Sequence, residues 1–130
     1  MKHAFPAAIA LTGLVNFAPL AGVLSTRMLT QLYGLDFVGP DLEILMRHRA
    51  VLFGLVGGFM LYSVSRPPLR RPAAVMGLVS MVSFILLAVL VGDYNAPLHR
   101  IVMIDAIAAV ALAVAWALDA RLSTSPGGHP

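Results

Sequence analysis

Asp105 is the residue of this chain whose type and position most directly suggest chemistry. It lies inside the apolar stretch of residues 98–118, roughly 12 Å beyond Pro97 along a helix. A bare carboxylate in hydrocarbon is unfavourable, so we expect it to be paired, protonated or in contact with water. Arg47 and Arg49 are its candidate partners. The carboxylate is thus either part of a functional site or half of a structural ion pair that fixes the helix register.

Polar side chains also gather just before two of the apolar segments. Glu43, Arg47, His48 and Arg49 precede one segment, and Tyr94, Asn95, His99 and Arg100 precede another. If all the segments cross the membrane, both groups lie at the same end of the bundle. Glu43 and Arg47 are spaced i, i+4 and share a helix face, so we expect Arg47 to point into the bundle. With Asp105, these residues predict either a ligand-binding site or a buried ion pair.

Three functions are compatible with this cluster. The first is a non-enzymatic membrane component that binds a small ligand, a lipid or a partner protein at a charged outer mouth. The second is a small membrane enzyme for an apolar substrate, such as an isoprenoid or a quinone, with Asp105 as acid or base and Glu43 or His48 assisting. The third is an electron carrier whose haem iron is bound by His48 and His99. An apolar cavity that reaches Asp105 would favour the second function, whereas a closed core around a tight Asp–Arg pair would count against it.

Several other chemistries have no support in the sequence. The chain has no cysteine, which excludes disulfides and thiolate metal sites. No nucleotide-binding glycine loop, GxSxG elbow or HExxH motif occurs, and we predict no metal. The net charge of +3 arises from cations at the ends of apolar segments, so we predict the lipid bilayer, and not nucleic acid, as the partner.

Four apolar segments have to position these residues. Of the 130 residues, 59% are hydrophobic and only 12% are charged, which is too apolar for a soluble domain of this size. No segment alternates with period two, and about 20 residues suffice to cross a bilayer as a helix. We therefore predict an all-α membrane protein, a bundle of four transmembrane helices at residues 4–24, 41–65, 72–91 and 97–120. They form a single domain, residues 1–122, followed by a disordered tail, residues 123–130.

The placement of Lys and Arg predicts the orientation. With both termini in the cytoplasm, the inner side holds Lys2, Arg66, Arg70, Arg71 and Arg121, and the outer side holds Arg27, Arg47, Arg49 and Arg100. The compact triplet in the short turn at 66–72 favours this orientation, because short loops follow the positive-inside rule. Residues 25–40 are predicted to be the longest loop. The predicted location is a bacterial inner membrane, which the chain crosses several times.

Small and polar residues predict where the helices touch. Ala50, Gly54 and Gly58 are spaced by four and form a stripe that lets two helices approach closely in lipid. The stripe would serve contacts within the bundle or a homo-oligomer, and a membrane-protein partner is also compatible with it. Asn16, a lone polar residue in the first segment, is predicted to hydrogen-bond a neighbouring helix.

The strings LMRHRAVLFG at residues 45–54 and GDYNAP at residues 92–97, followed by Arg100 and Asp105, resemble a group of small bacterial four-helix membrane proteins close to the DoxX-like proteins. The resemblance covers most of residues 10–118. It implies the fold and the site positions but no reaction, because the group has no settled activity. Its members often carry the automatic name phosphopantetheine adenylyltransferase, which would imply a soluble nucleotide-binding fold with an HxGH-type motif. The nearest string, HRAV at residues 48–51, lacks the glycine and the second histidine, so the sequence does not support that name.

Overall fold

A computed structural model describes residues 2–23, 26–34 and 39–124, and these residues form helices joined by short turns. The α-helices are α1 (Ala4–Phe17), α2 (Thr26–Tyr33), α3 (Pro40–Val64), α4 (Arg70–Val91) and α5 (Ala96–Thr124). Three helical segments, Pro40–Val64, Pro67–Val91 and Ala96–Thr124, are long and apolar enough to cross a membrane, and Ala4–Leu20 is a shorter apolar helix. This all-helical architecture is compatible with the predicted helical membrane bundle.

The first apolar segment changes its winding before its end. The α-helix stops at Phe17, and the chain continues as a 3-10 helix over Ala18–Val23. Pro19 gives the physical reason, because proline has no backbone N–H and cannot donate the next α-helical hydrogen bond. The chain continues in a tighter winding with fewer residues per turn. The predicted helix at 4–24 is therefore two differently wound pieces, and residues 24 and 25 lie outside the described residues.

The predicted loop at 25–40 contains a helix. Residues Thr26–Tyr33 form α2, and Gly34 ends it with φ 65°, a left-handed geometry that suits glycine. Tyr33 explains why this short helix is stable, since it is buried in a cluster with Ala50 of α3, against which Leu98 and Ile101 of α5 pack. Residues 35–38 of the predicted loop lie outside the described residues.

The closest approach of two helices lies between α1 and α3. A methyl group on Gly57 would lie 2.5 Å from the Phe17 amide nitrogen and 2.6 Å from the Gly13 carbonyl oxygen. Gly54 lies against the Leu20 side chain, whereas a methyl group on Gly58 would find only the Phe17 ring, at 3.8 Å. The sequence stripe of small residues does lie near this crossing, but its neighbour Gly57 makes the contact that requires glycine.

The main core lies between α1, α3, α4 and α5. Ile9, Met60, Met81 and Leu112, one from each of these helices, are fully buried there. Met60 of α3 lies against Gly77 of α4, where a methyl group would come within 2.6 Å of its Cε atom. Many large apolar side chains of α4 and α5 stay exposed on the outside of the bundle, as a lipid-facing surface requires.

Two ends of the long helices have structural explanations. Arg70 donates from Nε (3.2 Å) and Nη2 (2.6 Å) to the Val64 carbonyl oxygen, so it caps the end of α3. Helix α5 runs to Thr124, two residues into the predicted tail, where Ser123 and Thr124 donate to the carbonyl oxygens of Asp119 and Ala120. The rest of that tail, residues 125–130, lies outside the described residues.

Candidate functional site

A cavity of about 500 Å³ lies between the helices at the end of the bundle where α3 and α5 begin. Its walls come from every helix and from the 3-10 segment, and most of the lining is apolar. The apolar side chains include Met28 and Leu32 of α2, Phe53 of α3, Phe84 of α4, and Ile101 and Ile104 of α5. The polar side chains are Asn16, Gln31, Tyr33, Arg49 and Asp105. Pockets of this size and mixed lining typically bind small molecules.

Arg49 enters the cavity from α3 within a cluster of three aromatic rings. Its Cζ atom lies 5.4 Å from the centroid of Tyr33, 5.0 Å from that of Phe53 and 5.1 Å from that of Phe84. Ring faces attract a guanidinium group through their quadrupoles, and the attraction is stronger away from water. The rings hold the guanidinium in place without neutralising its charge, which leaves its N–H donors available to a further acceptor.

Asp105 faces the same cavity from α5 and is only 8% exposed. Arg49 is the cation that acts on it electrostatically, but the two side chains form no ion pair within 4.0 Å. Among the described residues, none donates a hydrogen bond to its carboxylate. A carboxylate that is nine-tenths buried and accepts no hydrogen bond is costly, so the site favours a ligand that donates a hydrogen bond to it.

Helix α2 covers the cavity and is fastened to α5 by Asn95. The Asn95 amide nitrogen donates to the carbonyl oxygens of Tyr33 (3.0 Å) and Gly34 (3.1 Å). Its amide oxygen accepts from the Leu98 backbone N–H at 2.9 Å, which caps the start of α5. One side chain therefore fixes the end of the covering helix and the beginning of the helix that carries Asp105.

Tyr33 closes the cavity beside Arg49 and is only 3% exposed. Burial raises the pKa of its hydroxyl above the ordinary value, although the nearby Arg49 charge opposes this effect. The hydroxyl is therefore protonated at neutral pH, and Tyr33 adds a neutral polar group to the wall.

Asn16 ties the cavity wall to α4. Its side-chain oxygen accepts a hydrogen bond from the Ser80 hydroxyl at 3.2 Å, and its amide donates to the Thr12 carbonyl oxygen at 2.9 Å. This bond confirms the prediction that Asn16 hydrogen-bonds a neighbouring helix.

The other predicted site residues surround the cavity without lining it. Arg47 pairs with Glu43 at 3.3 Å, and both side chains are more than one-third exposed, so Arg49 and not Arg47 faces Asp105. Tyr94 and His99 stack on each other with ring centroids 6.1 Å apart. His48, His99 and Arg100 are exposed. The structure thus places Arg49 and Asp105 in the wall of the same cavity. Asn95 links α2 to α5, and the remaining predicted residues do not line the cavity.

Among the described residues that line the cavity, only Arg49 and Asp105 were predicted as site residues. The polar and aromatic lining residues that were missed are Gln31, Tyr33, Phe53 and Phe84, and Asn16 was predicted only as a contact between helices. In the sequence, Phe53 and Phe84 cannot be distinguished from the other apolar residues of their helices, because no neighbouring residue indicates that their rings contact Arg49. Tyr33 and Gln31 belong to the helix that replaced the predicted loop. The one available signal was Asn16, a polar residue in an otherwise apolar segment.

Comparisons of the chain with protein-family models, with curated proteins and with solved structures give no match. The function therefore has to be argued from the chemistry of the site.

Proposed function

We propose that this chain is a membrane protein that binds an amphipathic small molecule in the cavity between Arg49 and Asp105. The observation that carries the proposal is the Asp105 carboxylate, which is nine-tenths buried in the wall of a cavity of about 500 Å³ and makes no hydrogen bond or ion pair with any residue that the structure describes. A purely structural carboxylate would be expected to contact its cation directly. The resemblance to DoxX-like proteins agrees with such a role but names no ligand.

The charges of the site restrict the head group of the ligand. An anionic head would meet the Asp105 carboxylate, and a cationic head would meet the Arg49 guanidinium. An uncharged head with a hydroxyl group satisfies both, because the hydroxyl donates to Asp105 and accepts from Arg49, whereas a carbonyl group could only accept from Arg49. The apolar part of the molecule then contacts the aliphatic and aromatic walls.

The same proposal includes the finer membrane arrangement. Four segments cross a bacterial inner membrane, the shorter Ala4–Leu20 helix and its 3-10 extension being the first of them, and both termini are cytoplasmic. The cavity then opens near the outer surface. The basic turn at 66–72 supports this orientation, since Arg66, Arg70 and Arg71 cluster in a short connection. Cysteine labelling from outside intact cells tests it, because the chain has no cysteine of its own. Labelling of Ser65→Cys would contradict the orientation, and labelling of Asp93→Cys would support it.

Mass spectrometry of co-purifying molecules tests the binding function. The full chain is extracted in mild detergent, and its apolar extract is compared for wild type, Arg49→Gln and Arg47→Gln. The last variant is the matched control, because Arg47 lies on the same helix and outside the cavity. We expect one amphiphile to be enriched with wild type and Arg47→Gln and lost with Arg49→Gln. Equal lipid profiles for all three would contradict the proposal.

A membrane enzyme is the second candidate, because the cavity is mainly apolar and reaches Asp105. In this case Asp105 would exchange a proton with the bound molecule. Glu43 and His48 do not line the cavity, so they gain no support as assisting groups. If Asp105 is an acid or base, Asp105→Asn retains a molecule whose mass differs from that found with wild type, since the variant accumulates substrate. The same mass with both proteins favours binding alone.

Haem has no comparable support. His48 and His99 are both exposed and neither lines the cavity. A visible spectrum with a Soret band would be needed to revive that hypothesis.

A further inference from the structure

A second hollow adjoins the cavity on the outside of the bundle, between α3 and α4. Its volume is about 270 Å³, and Arg49, Phe53 and Phe84 border both it and the cavity. The two spaces therefore meet at the aromatic rings that hold the Arg49 guanidinium. We call this hollow the α3–α4 groove.

The helix packing explains why the groove exists. Helices α3 and α4 touch closely where Met60 lies against Gly77. About two turns further along both helices, the rings of Phe53 and Phe84 occupy the equivalent positions. Two bulky rings need more room than a methionine against a glycine, which favours a wider spacing of the helices at this level. The small side chains of Ser80 and Ser83 leave the adjacent space open.

The outer edge of the groove belongs to the apolar surface of the bundle. Leu52 is 48% exposed and Leu87 is 60% exposed, and both border the groove. In a membrane these side chains contact acyl chains. The groove therefore connects a lipid-facing surface with the polar pair inside the cavity.

We infer that the α3–α4 groove is the lateral opening through which the ligand exchanges with the bilayer, and that the bound ligand leaves its apolar chain in this groove. The inference rests on the proposed function and adds the class of ligand. The ligand is a membrane amphiphile with an uncharged hydroxyl head and one long apolar chain. The head lies between Arg49 and Asp105, and the chain runs past Phe53 and Phe84 toward Leu52 and Leu87.

Charge and polarity favour this occupant over a water-soluble molecule. A water-soluble ligand would gain no favourable contact from an apolar groove that opens toward lipid. For the chain of a lipid, transfer from the bilayer into the groove costs little solvation free energy, since both surroundings are apolar. Exchange of the ligand then requires Phe53 and Phe84 to rotate while Arg49 keeps its contact with Tyr33.

Photolabelling of the full chain in phosphatidylcholine vesicles tests the inference. The probe is a long-chain alcohol with a diazirine on its chain, added to preformed proteoliposomes and activated at increasing times. The variants are Ser83→Trp and Leu87→Trp, which put an indole into the groove from α4. The Ser83 hydroxyl bonds only the Ser80 carbonyl oxygen of its own helix, so its loss leaves the bundle contacts intact. Val79→Trp is the matched control, because Val79 is an exposed residue of α4 outside the groove.

We expect saturable labelling of peptides that contain residues 52–56 and 83–87. Labelling should slow by roughly tenfold in Ser83→Trp and Leu87→Trp, as a modest steric barrier would cause, and stay unchanged in Val79→Trp. Saturable labelling of the α5 peptide around Ile104 that keeps its rate in both groove variants would overturn the lateral opening and leave the proposed function standing. The absence of any saturable labelling would overturn both.

Discussion

The side-chain amide of Asn95 donates to the Tyr33 carbonyl oxygen at 3.0 Å, so the turn before α5 holds the end of α2 over the cavity. The same residue caps α5 through the Leu98 N–H. The positions of Tyr33, which contacts Arg49, and of Asp105, which lies two to three turns into α5, therefore both depend on Asn95.

Two substitutions of Asn95 distinguish its capping of α5 from its hydrogen bonds to α2. Asn95→Ala removes the cap and the bonds to α2, and we expect a loss of about 1 kcal/mol in the free energy of unfolding from the cap alone. Asn95→Asp keeps the capping oxygen but loses the amide donor. In this variant we expect α5 to keep its protection against hydrogen exchange while the α2 amides exchange faster. Equal exchange of α2 in wild type and Asn95→Asp would show that α2 is held by other contacts.

Two adjacent glycines of α3 give a matched test of the helix crossing. Gly57→Ala places a methyl group 2.5 Å from the Phe17 nitrogen, and backbone atoms cannot move away as a side chain can. We expect it to cost about 1–3 kcal/mol in unfolding free energy in detergent, the usual range for an overpacked contact. Gly58→Ala, with its nearest contact at 3.8 Å, should be neutral or slightly stabilising, because alanine favours the helix. A similar effect of both changes would contradict the described crossing.

The hydrogen bond from Ser80 to Asn16 links α4 with α1. Ser80→Ala removes it and leaves the Asn16 oxygen without this donor. Hydrogen bonds between membrane helices contribute about 0.6 kcal/mol on average, so we expect a small loss of that size in thermal or denaturant unfolding. Ser83→Ala is the control, since the Ser83 hydroxyl bonds only its own helix. If Ser83→Ala destabilised the protein as much as Ser80→Ala, the interhelical bond would have no measurable role.

Arg49 should not tolerate lysine. The Cζ atom of the flat guanidinium lies 5.0–5.4 Å from the centroids of three rings. An ammonium group cannot lie against several ring faces in the same way. We expect Arg49→Lys to lower the unfolding free energy by about 1 kcal/mol and to weaken retention of the amphiphile. Arg47→Lys should leave both quantities unchanged, because Arg47 makes an exposed pair with Glu43. Equal behaviour of the two lysine variants would contradict the role of the aromatic rings.

The long helices could be predicted from hydropathy, because lipid requires continuous apolar segments of about 20 residues. Helices predicted at 41–65 and 72–91 occupy Pro40–Val64 and Arg70–Val91. Helix α2 could not be predicted in this way. It has only eight residues, and its burial depends on Tyr33 meeting α3 and α5, which are distant in sequence. The stability of such a short helix comes from tertiary packing and not from a local pattern.

The site was predicted in part because charge in an apolar segment is conspicuous, as Asp105 illustrates. The spacing of residues in the sequence could not show whether Arg47 or Arg49 faces Asp105. The two residues point about 200° apart around the helix, so the rotation of α3 decides which one faces the bundle. Gly57 has to face α1 at the close crossing, and this contact, which restricts the rotation, involves no charged residue.

The most direct test of the Arg49–Asp105 pocket is a titration of the methyl resonances of Ile104 and Ile107 with a long-chain alcohol, in deuterated detergent. Ile104 is 50% exposed but also lines the cavity, whereas Ile107 is 67% exposed and does not line it. We expect saturable shifts of Ile104 that disappear in Arg49→Gln, with Ile107 showing only the weak, linear response of a lipid-facing group. An Ile104 methyl that responds no differently from Ile107 would contradict the existence of a ligand site in this cavity.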